Sequence, residues 1–113
     1  MKNDKIWTHN QFTIHEFVEL SSTNTKAFEL TNARKISDRE IILADSQSCG
    51  RGRYSRDWSS PKGNLYFSLV LRPKVLPSKV PQLSFVAITS LRLALEKLAS
   101  NQLLIQNKWP NDL

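Results

Sequence analysis

The segment of residues 50–58 combines residue types that suit the binding of a phosphorylated aromatic ligand. Gly50 and Gly52 let the backbone approach a ligand closely and present its N–H groups. Trp58 offers a flat apolar face on which a purine can stack. Three arginines within six positions supply permanently charged, planar donors for phosphate oxygens: Arg51, Arg53 and Arg56. The pattern predicts a site for an anion that carries an aromatic base.

Two other interpretations of this segment stay open on the residues alone. It could be a solvated basic surface loop without a ligand. It could also bind single-stranded nucleic acid, since arginines interleaved with aromatic residues serve that purpose as well. The common phosphate-binding patterns Gly-x-x-x-x-Gly-Lys-Ser/Thr and Gly-x-Gly-x-x-Gly do not occur in the sequence. The interpretation of the segment therefore depends on other parts of the chain.

Two further segments place short polar side chains at a helix start or a turn. Residues 21–24 are good N-cap residues, and a helix that begins there would also present hydroxyl and N–H groups to a polar ligand. Pro110 precedes Asn111 and Asp112, which could hold a ribose hydroxyl, an amide or a magnesium ion bound to phosphate. Both segments are also compatible with an ordinary cap and an ordinary turn.

The composition is that of a globular protein with excess positive charge. Of 113 residues, 40% are hydrophobic and 23% are charged, and the net charge is +6. This charge favours polyanionic ligands or acidic partners but does not specify a fold. The single cysteine, Cys49, excludes an internal disulfide, and no apolar run approaches the length of a membrane span. Residues 1–10 lack the apolar core of a secretion signal, so we expect a cytoplasmic protein with no membrane partner.

Hydrophobic patterning predicts the elements that must position these segments. Alternation over residues 12–20 predicts a half-buried strand, and the N-cap residues that follow predict a short helix over residues 24–33. Apolar runs predict strands at residues 41–44 and 64–72. Between them, residues 47–63 form a long loop that we expect to bind the ligand.

The remaining third of the sequence predicts a longer helix and one more strand. Residues 82–100 form a helix that is mostly buried, apart from a polar stripe of Thr89, Arg92, Glu96 and Ser100. Residues 103–106 are expected to form a strand. The order of elements is typical of an α/β or α+β sheet protein.

Four segments, in this order, resemble the signature segments of biotin–protein ligases. They are residues 22–24, 47–58, 60–66 and 108–113. Their order and rough separation match the family over residues 17–113. It implies an α+β fold of the class II aminoacyl-tRNA synthetase and biotin synthetase-like type, with a mixed β-sheet flanked by helices. It also implies ATP and biotin as substrates, with Mg²⁺. The biotin carboxylate would attack the α-phosphate of ATP, and a lysine of a biotin carboxyl carrier protein would then take the biotinyl group from biotinyl-5′-AMP.

The resemblance further implies roles for individual residues. The biotin site would be lined by Ser22, Thr23, Gln47, Gly50 and Arg51. Thr23 and Gln47 would bind the ureido ring, while Arg51 would steady the biotin carboxylate and the phosphate that it attacks. The nucleotide site would be formed by Arg53, Arg56, Trp58, Asn111 and Asp112. Asp112 would also be a candidate Mg²⁺ ligand. Since this chemistry is alignment and charge stabilisation, the catalytic groups would be Arg51 and Arg53.

The sequence departs from the family pattern in three places. Ser55 stands where the loop usually has glycine, so we expect backbone strain or altered geometry there. The Gly63-Asn64 junction is a residue shorter than in many relatives. The family's later strands, its lysine in a Lys-x-x-Gly-Ile segment and its small C-terminal β-domain have no counterpart before Leu113. We therefore expect a truncated catalytic domain without full activity of its own, able to self-associate through an incomplete sheet.

Two alternatives to biotin–protein ligase remain. A lipoate–protein ligase is similar in fold and chemistry, although the loop of residues 50–58 favours biotin. From a different class, the chain could be a non-catalytic module that binds nucleic acid or nucleotide. Residues 1–10 are expected to be an N-terminal tail, too short for a helix-turn-helix, so no DNA partner is expected.

Overall fold

A computed structural model of the protein describes residues 5–100, 104–108 and 112. The chain forms two compact units, Met1–Arg72 and Pro73–Leu113. The first unit contains a four-stranded sheet and one helix, and the second contains a longer helix. Within the described ranges, no helix combines the length and the hydropathy that a membrane span requires.

The sheet of the first unit is mixed, as expected. Its strands are β1 (Lys5–His9), β2 (Phe12–Leu20), β3 (Glu40–Gln47) and β4 (Tyr66–Val70), in the order β1-β2-β3-β4. β2 and β3 run parallel, whereas β1 and β4 each pair antiparallel with their neighbour. β2 has the predicted bounds, β3 extends the predicted strand at both ends, and β4 is shorter than predicted.

Strand β1 corrects the expectation that residues 1–10 are a tail. It joins β2 through a tight turn in which Asn10 (φ 46°) and Gln11 (φ 71°) adopt left-handed backbone conformations. Such turns usually carry glycine at the second position, and its absence removed the sequence signal for a hairpin. All five residues of β1 are exposed, so no buried alternation marked the strand. On its surface, Trp7 Nε1 donates to Glu16 Oε2 at 2.7 Å.

Helix α1 (Thr23–Asn32) begins where the N-cap residues predicted it. The Ser22 hydroxyl accepts a hydrogen bond from Thr25 N at 3.3 Å and so satisfies one free N–H of the first turn. At the other end, Arg34 is left-handed (φ 57°), and Lys35 N donates to Leu30 O at 2.9 Å. This closing turn ends the helix and directs the chain toward β3.

The hydrophobic core of the first unit joins α1 to the sheet. It consists of Phe17, Leu20, Ala27, Ile36, Ile42 and Ala44, with Leu30 and Val70 packed against them. Ile42, in the middle of β3, is 0% exposed. Because apolar burial holds these elements together, the core fixes the helix N-terminus relative to the ends of β2 and β3.

Polar contacts join the start of β3 to β2, at the opposite end of these strands from the start of α1. His15 Nε2 and Glu40 Oε1 lie 2.9 Å apart, and both side chains are largely buried. The second oxygen of Glu40 accepts a hydrogen bond from Ser37 N. Thr13 N donates to Arg39 O at 3.0 Å, so the connection that follows α1 is bound to the sheet at two points.

The second unit contains helix α2 (Leu83–Leu98), which follows a short 3-10 helix, Pro77–Gln82. Arg92 Nη1 donates to Glu96 Oε1 at 3.1 Å on the predicted polar stripe. The prediction that most of α2 is buried is wrong, because Ile88 is its only buried residue and many apolar side chains are exposed. The exposed ones are Phe85, Val86, Leu91, Leu93, Leu95 and Leu98. Periodicity shows which residues could be buried, but burial also requires a covering layer.

The strand predicted at residues 103–106 is wrong for the part that the structure describes. Residues 104–107 have no regular secondary structure, and Leu103 lies outside the described residues. Asn107 Nδ2 donates instead to Thr89 Oγ1 of α2 at 3.1 Å. Four residues are too few to distinguish a strand from irregular structure by periodicity.

Truncation of the core in β3 tests this packing. We expect Ile42→Ala to lower the free energy of unfolding by about 2–5 kcal/mol, because it leaves a cavity in a fully buried position. The matched control is Ile6→Ala in β1, where the side chain is 58% exposed. It should cost less than about 1 kcal/mol, mainly through lower strand propensity. Urea denaturation of both variants measures the difference, and equal losses would contradict the assigned core.

Candidate functional site

A polar cleft opens at the edge of the sheet where β2 and β3 end and α1 begins. The parallel register sets Leu20 opposite Gln47, so the segment entering α1 and the loop leaving β3 start side by side. The cleft has a volume of about 610 Å³. Hydroxyl, amide, guanidinium and indole groups line it, including those of Ser22, Thr23, Gln47, Arg51, Trp58 and Ser68. This lining suits a small polar molecule that also has an apolar part.

The carboxamide of Gln47 ties the two walls of the cleft together. Its Oε1 accepts a hydrogen bond from Thr23 N at 2.8 Å, at the first residue of α1. Its Nε2 donates to Ser60 Oγ at 3.1 Å, on the return strand of the loop. The last residue of β3 therefore contacts both the helix N-terminus and the far end of the loop.

A second polar chain joins the helix N-terminus to β4. Thr23 Oγ1 and Ser68 Oγ lie 2.8 Å apart, and Ser68 Oγ also lies 3.5 Å from Asn24 Oδ1 as a donor. Either hydroxyl can donate in the shorter contact, and in both cases the Thr23 oxygen keeps a lone pair that can accept a further hydrogen bond. The floor of the cleft thus offers an acceptor from Thr23, a buried residue of α1.

The loop after β3 folds back on itself as a narrow hairpin. Gln47 pairs with Ser60 at its base, with Gln47 N donating to Ser60 O at 3.0 Å. Further out, Trp58 N donates to Gly50 O at 2.9 Å and Gly52 N donates to Arg56 O at 2.6 Å. The loop is therefore held by backbone hydrogen bonds along its length, not only at its ends.

Gly50 is required by packing at the base of this hairpin. It is buried, and a Cβ at this position would come within 2.5 Å of Trp58 O and would also collide with Ser60 Oγ. At Gly52, by contrast, the nearest atom to an added Cβ is Trp58 Cε3 at 3.5 Å, an ordinary contact. Packing thus requires glycine at position 50 but leaves room for a side chain at position 52.

The tip of the hairpin is a turn of left-handed residues. Tyr54 has φ 59° and Ser55 has φ 58°, so the strain expected at Ser55 is present and extends to its neighbour. Arg53 and Arg56 lie against the Tyr54 ring, with their guanidinium carbons 5.3 and 6.0 Å from its centre. The two arginines therefore have an aromatic contact at the exposed tip.

Arg51 supplies the positive charge of the cleft. Its Nη2 donates to Thr25 Oγ1 at 2.7 Å, which places the guanidinium beside the first turn of α1. The described residues that line the cleft include no carboxylate. The guanidinium and the helix N-terminus are both positive, so the cleft favours an anionic group.

The structure brings together most of the residues predicted for the biotin site. Ser22, Thr23, Gln47 and Arg51 line the cleft, and Gly50 lies directly behind it in the hairpin base.

Of the residues predicted for the nucleotide, Trp58 lines the cleft, whereas Arg53 and Arg56 are exposed at the hairpin tip and do not. Asp112 belongs to the second unit, where its backbone exchanges two hydrogen bonds with Lys108. Asn111 lies outside the described residues.

Sequence reasoning missed three hydroxyl groups that shape the cleft. Thr25 holds Arg51, Ser60 holds Gln47, and Ser68 holds Thr23. A signal for Ser68 was available, because it occupies a half-buried position of β4 between Tyr66 and Val70. Ser60 and Thr25 gave no such signal, since their partners are distant in sequence or lie in an irregular loop.

The residues of the cleft do not fit a directly bound Mg²⁺. Among the described residues, no group of three or more His, Cys, Asp or Glu side chains gathers at one place. Mg²⁺ is usually held by one or two carboxylates together with substrate phosphates, and the described lining offers none.

Residues 16–113 match the model of the Biotin/lipoate A/B protein ligase family, so the chain belongs to this family. Over 95 residues it is 42% identical to the bifunctional ligase/repressor BirA of Bacillus subtilis (strain 168), a match that covers 83% of this chain and 28% of that protein. Over 92 residues it is 41% identical to the biotin–[acetyl-CoA-carboxylase] ligase of Paracoccus denitrificans, covering 81% of this chain and 38% of that ligase.

A solved structure agrees with these relatives. The biotin protein ligase from Aquifex aeolicus in complex with biotin and ATP superposes with a TM-score of 0.75 and 35% identity, covering 87% of this chain and 39% of that one. The mixed sheet and its helices are thus those of biotin protein ligases. The chain spans from 28% to 39% of the length of these three relatives.

The tight packing at the hairpin base predicts unequal effects of two glycine substitutions. Gly50→Ala should lower stability by about 1–3 kcal/mol, since its Cβ collides with backbone and side-chain atoms. Gly52→Ala should stay within about 0.5 kcal/mol of the parent protein, because its Cβ has room. Chemical denaturation measures both, and trypsin cleavage at the loop arginines should accelerate in Gly50→Ala alone. Equal behaviour of the two variants would contradict the hairpin geometry.

The left-handed tip predicts that one serine-to-glycine change is stabilising. Ser55→Gly should raise the free energy of unfolding by about 0.5–1 kcal/mol, because glycine adopts this conformation without the steric cost of a side chain. Ser59 is in the same loop and is not left-handed. Ser59→Gly should therefore lower stability by up to about 1 kcal/mol through the entropy of the unfolded chain. Shifts in the same direction for both variants would exclude strain at Ser55.

Proposed function

We propose that this chain forms the biotin-binding part of a biotin–protein ligase, which activates biotin with ATP and transfers it to a lysine of a biotin carboxyl carrier protein. The observation that carries the proposal is that the Gln47 carboxamide and the Arg51 guanidinium both line one cleft beside the N-terminus of α1. An amide complements a cyclic urea, and a guanidinium complements a carboxylate. Biotin carries these two groups at opposite ends.

The ureido end of biotin would bind between α1 and β3. Gln47 would exchange hydrogen bonds with the ring, and the Thr23 hydroxyl would accept one from a ring N–H. Ser22 and the backbone at Gly50 would complete this end of the site. The aromatic and apolar residues on the β4 side of the cleft, Leu65, Tyr66 and Phe67, would cover the fused rings and the alkyl chain.

Arg51 would act where the two substrates react. A carboxylate oxygen of biotin attacks the α-phosphorus of ATP, the bond to the β-phosphate oxygen breaks, and pyrophosphate leaves with that electron pair. Arg51 would hold the carboxylate in line and offset the negative charge on the phosphate, which needs no protein nucleophile. In the second step, a lysine amine of the carrier attacks the biotinyl carbonyl, loses a proton and expels AMP.

The nucleotide would extend from Arg51 along the hairpin. Trp58 is 63% exposed at the cleft and could stack on adenine, while Arg53 and Arg56 at the tip would reach the phosphates as the loop closes on them. Asn111 and Asp112 remain predictions from sequence for the nucleotide side. Since the cleft does not fit a directly bound Mg²⁺, no step is assigned to that ion.

The carrier and the cellular location are also parts of this proposal. The Paracoccus relative is named for acetyl-CoA carboxylase, which supports a carboxylase subunit as the carrier. ATP and such a subunit as co-substrates favour the cytoplasm.

Lipoate–protein ligase is the alternative that the family itself raises, since its model covers both activities. Calorimetric titration of the intact natural protein with biotin, lipoate and a single-stranded oligonucleotide, at two salt concentrations, separates the hypotheses. Biotin binding without lipoate binding is expected. Lipoate binding alone would replace the proposal, and salt-sensitive binding of the oligonucleotide alone would indicate a nucleic-acid module.

The role of Arg51 gives a sharper test. Arg51→Ala in the intact natural protein should slow biotin-dependent pyrophosphate release by about 100-fold or more, because one charged donor to the reacting groups is lost. The fold should be unchanged by circular dichroism, since the side chain contributes no core contact. Arg72→Ala removes an equal charge outside the cleft and should retain activity. Full activity in Arg51→Ala would refute the assigned role.

A further inference from the structure

Ser60 is a buried serine behind the cleft, and every polar contact of its side chain is accounted for. It is 5% exposed and does not line the cleft itself. Its Oγ donates to Trp58 O at 3.2 Å and accepts from Gln47 Nε2 at 3.1 Å. The missing side chain of Gly50 leaves the space that this hydroxyl occupies.

These contacts have a fixed direction. A hydroxyl has one proton, and a carbonyl oxygen can only accept, so the Ser60 proton is committed to Trp58 O. Toward Gln47 the same oxygen can only accept, which requires the amide nitrogen to face Ser60. Independently, Thr23 N can only donate, which requires the amide oxygen to face α1.

The two requirements select one orientation of the Gln47 carboxamide. A flipped amide would set its nitrogen against Thr23 N and its oxygen against the lone pairs of Ser60, leaving buried polar groups unsatisfied. In the selected orientation, the Gln47 nitrogen has one N–H and the oxygen one lone pair beyond these two hydrogen bonds. This is the complement of the adjacent carbonyl and N–H of a cyclic urea.

We propose that Ser60 is a positioning residue that fixes the Gln47 carboxamide for the ureido ring and thereby sets the preference for a urea over a group with the opposite donor pattern. This inference rests on the proposed biotin-binding function. Ser60 acts through Gln47 and touches no substrate. Its effect on binding should therefore vanish when Gln47 has no amide to position.

A double-mutant cycle in the intact natural protein tests this dependence. Biotin affinity is measured by calorimetry for the parent, Ser60→Ala, Gln47→Ala and the double variant. Ser60→Ala should weaken biotin binding about tenfold, the scale expected when one buried donor loses its acceptor. In the Gln47→Ala background the same change should weaken binding less than about twofold. Ser59→Ala, an equal change at the exposed neighbour, should have no effect.

The affinity for 2-iminobiotin relative to biotin would not change if Ser60 had only a structural role in the hairpin. In this analogue a donor replaces the ureido carbonyl, so the fixed amide of the parent protein should reject it. Ser60→Ala should reduce the preference for biotin over 2-iminobiotin, whereas a general loosening of the loop would weaken both ligands alike. If Ser60→Ala does not fold, Ser60→Cys keeps a side chain in this space with a larger but weaker acceptor and should show a smaller change of the same kind.

The outcomes separate this inference from the proposed function. Equal loss in both backgrounds, with unchanged preference between the two ligands, would show that Ser60 only supports the hairpin and would overturn its positioning role. Biotin-specific binding would still stand in that case. A parent protein that binds no biotin would overturn the proposed function, and the inference about Ser60 with it.

Discussion

The parallel pairing of β2 with β3 is the constraint on which the cleft depends. Parallel strands end at the same edge of a sheet, and here the register sets Leu20 beside Gln47. β2 continues into the start of α1, and β3 continues into the hairpin of residues 47–60. Two segments that are distant in sequence therefore meet at the same end of the sheet. The core around Ile42 holds this arrangement, because it joins α1 to both strands.

The start of α1 serves two purposes with the same few atoms. Ser22 caps the helix, as its residue type predicted, while the next backbone N–H binds Gln47 instead of solvent. The helix terminus therefore orders the cleft and contributes its partial positive charge to it. Thr25 adds a third function by holding Arg51. A cap and a ligand site are compatible interpretations of one segment.

The sequence predicted the positions of the helices and strands better than it predicted which residues pack against one another. Alternation gave the bounds of β2, and cap residues gave the start of α1, because both signals are local. β1 was not predicted, because an edge strand with no buried face shows no alternation of apolar and polar residues. The exposure of α2 and the position of Arg53 and Arg56 outside the cleft depend on which surfaces meet, and local patterns do not encode that. Ser60 matters through partners in two different strands of the hairpin.

The continuity of the cleft in sequence has a consequence for how it is made. All of its described lining residues fall between Ser22 and Ser68, inside the unit Met1–Arg72. Gln47 and Ser60 pair at the base of the loop that closes it, and the entropy cost of closing such a loop grows only slowly with its length. During synthesis, domains fold as units from the N-terminal side. The cleft can thus take shape on the ribosome as soon as Arg72 has left the exit tunnel, before the apolar helix α2 has emerged.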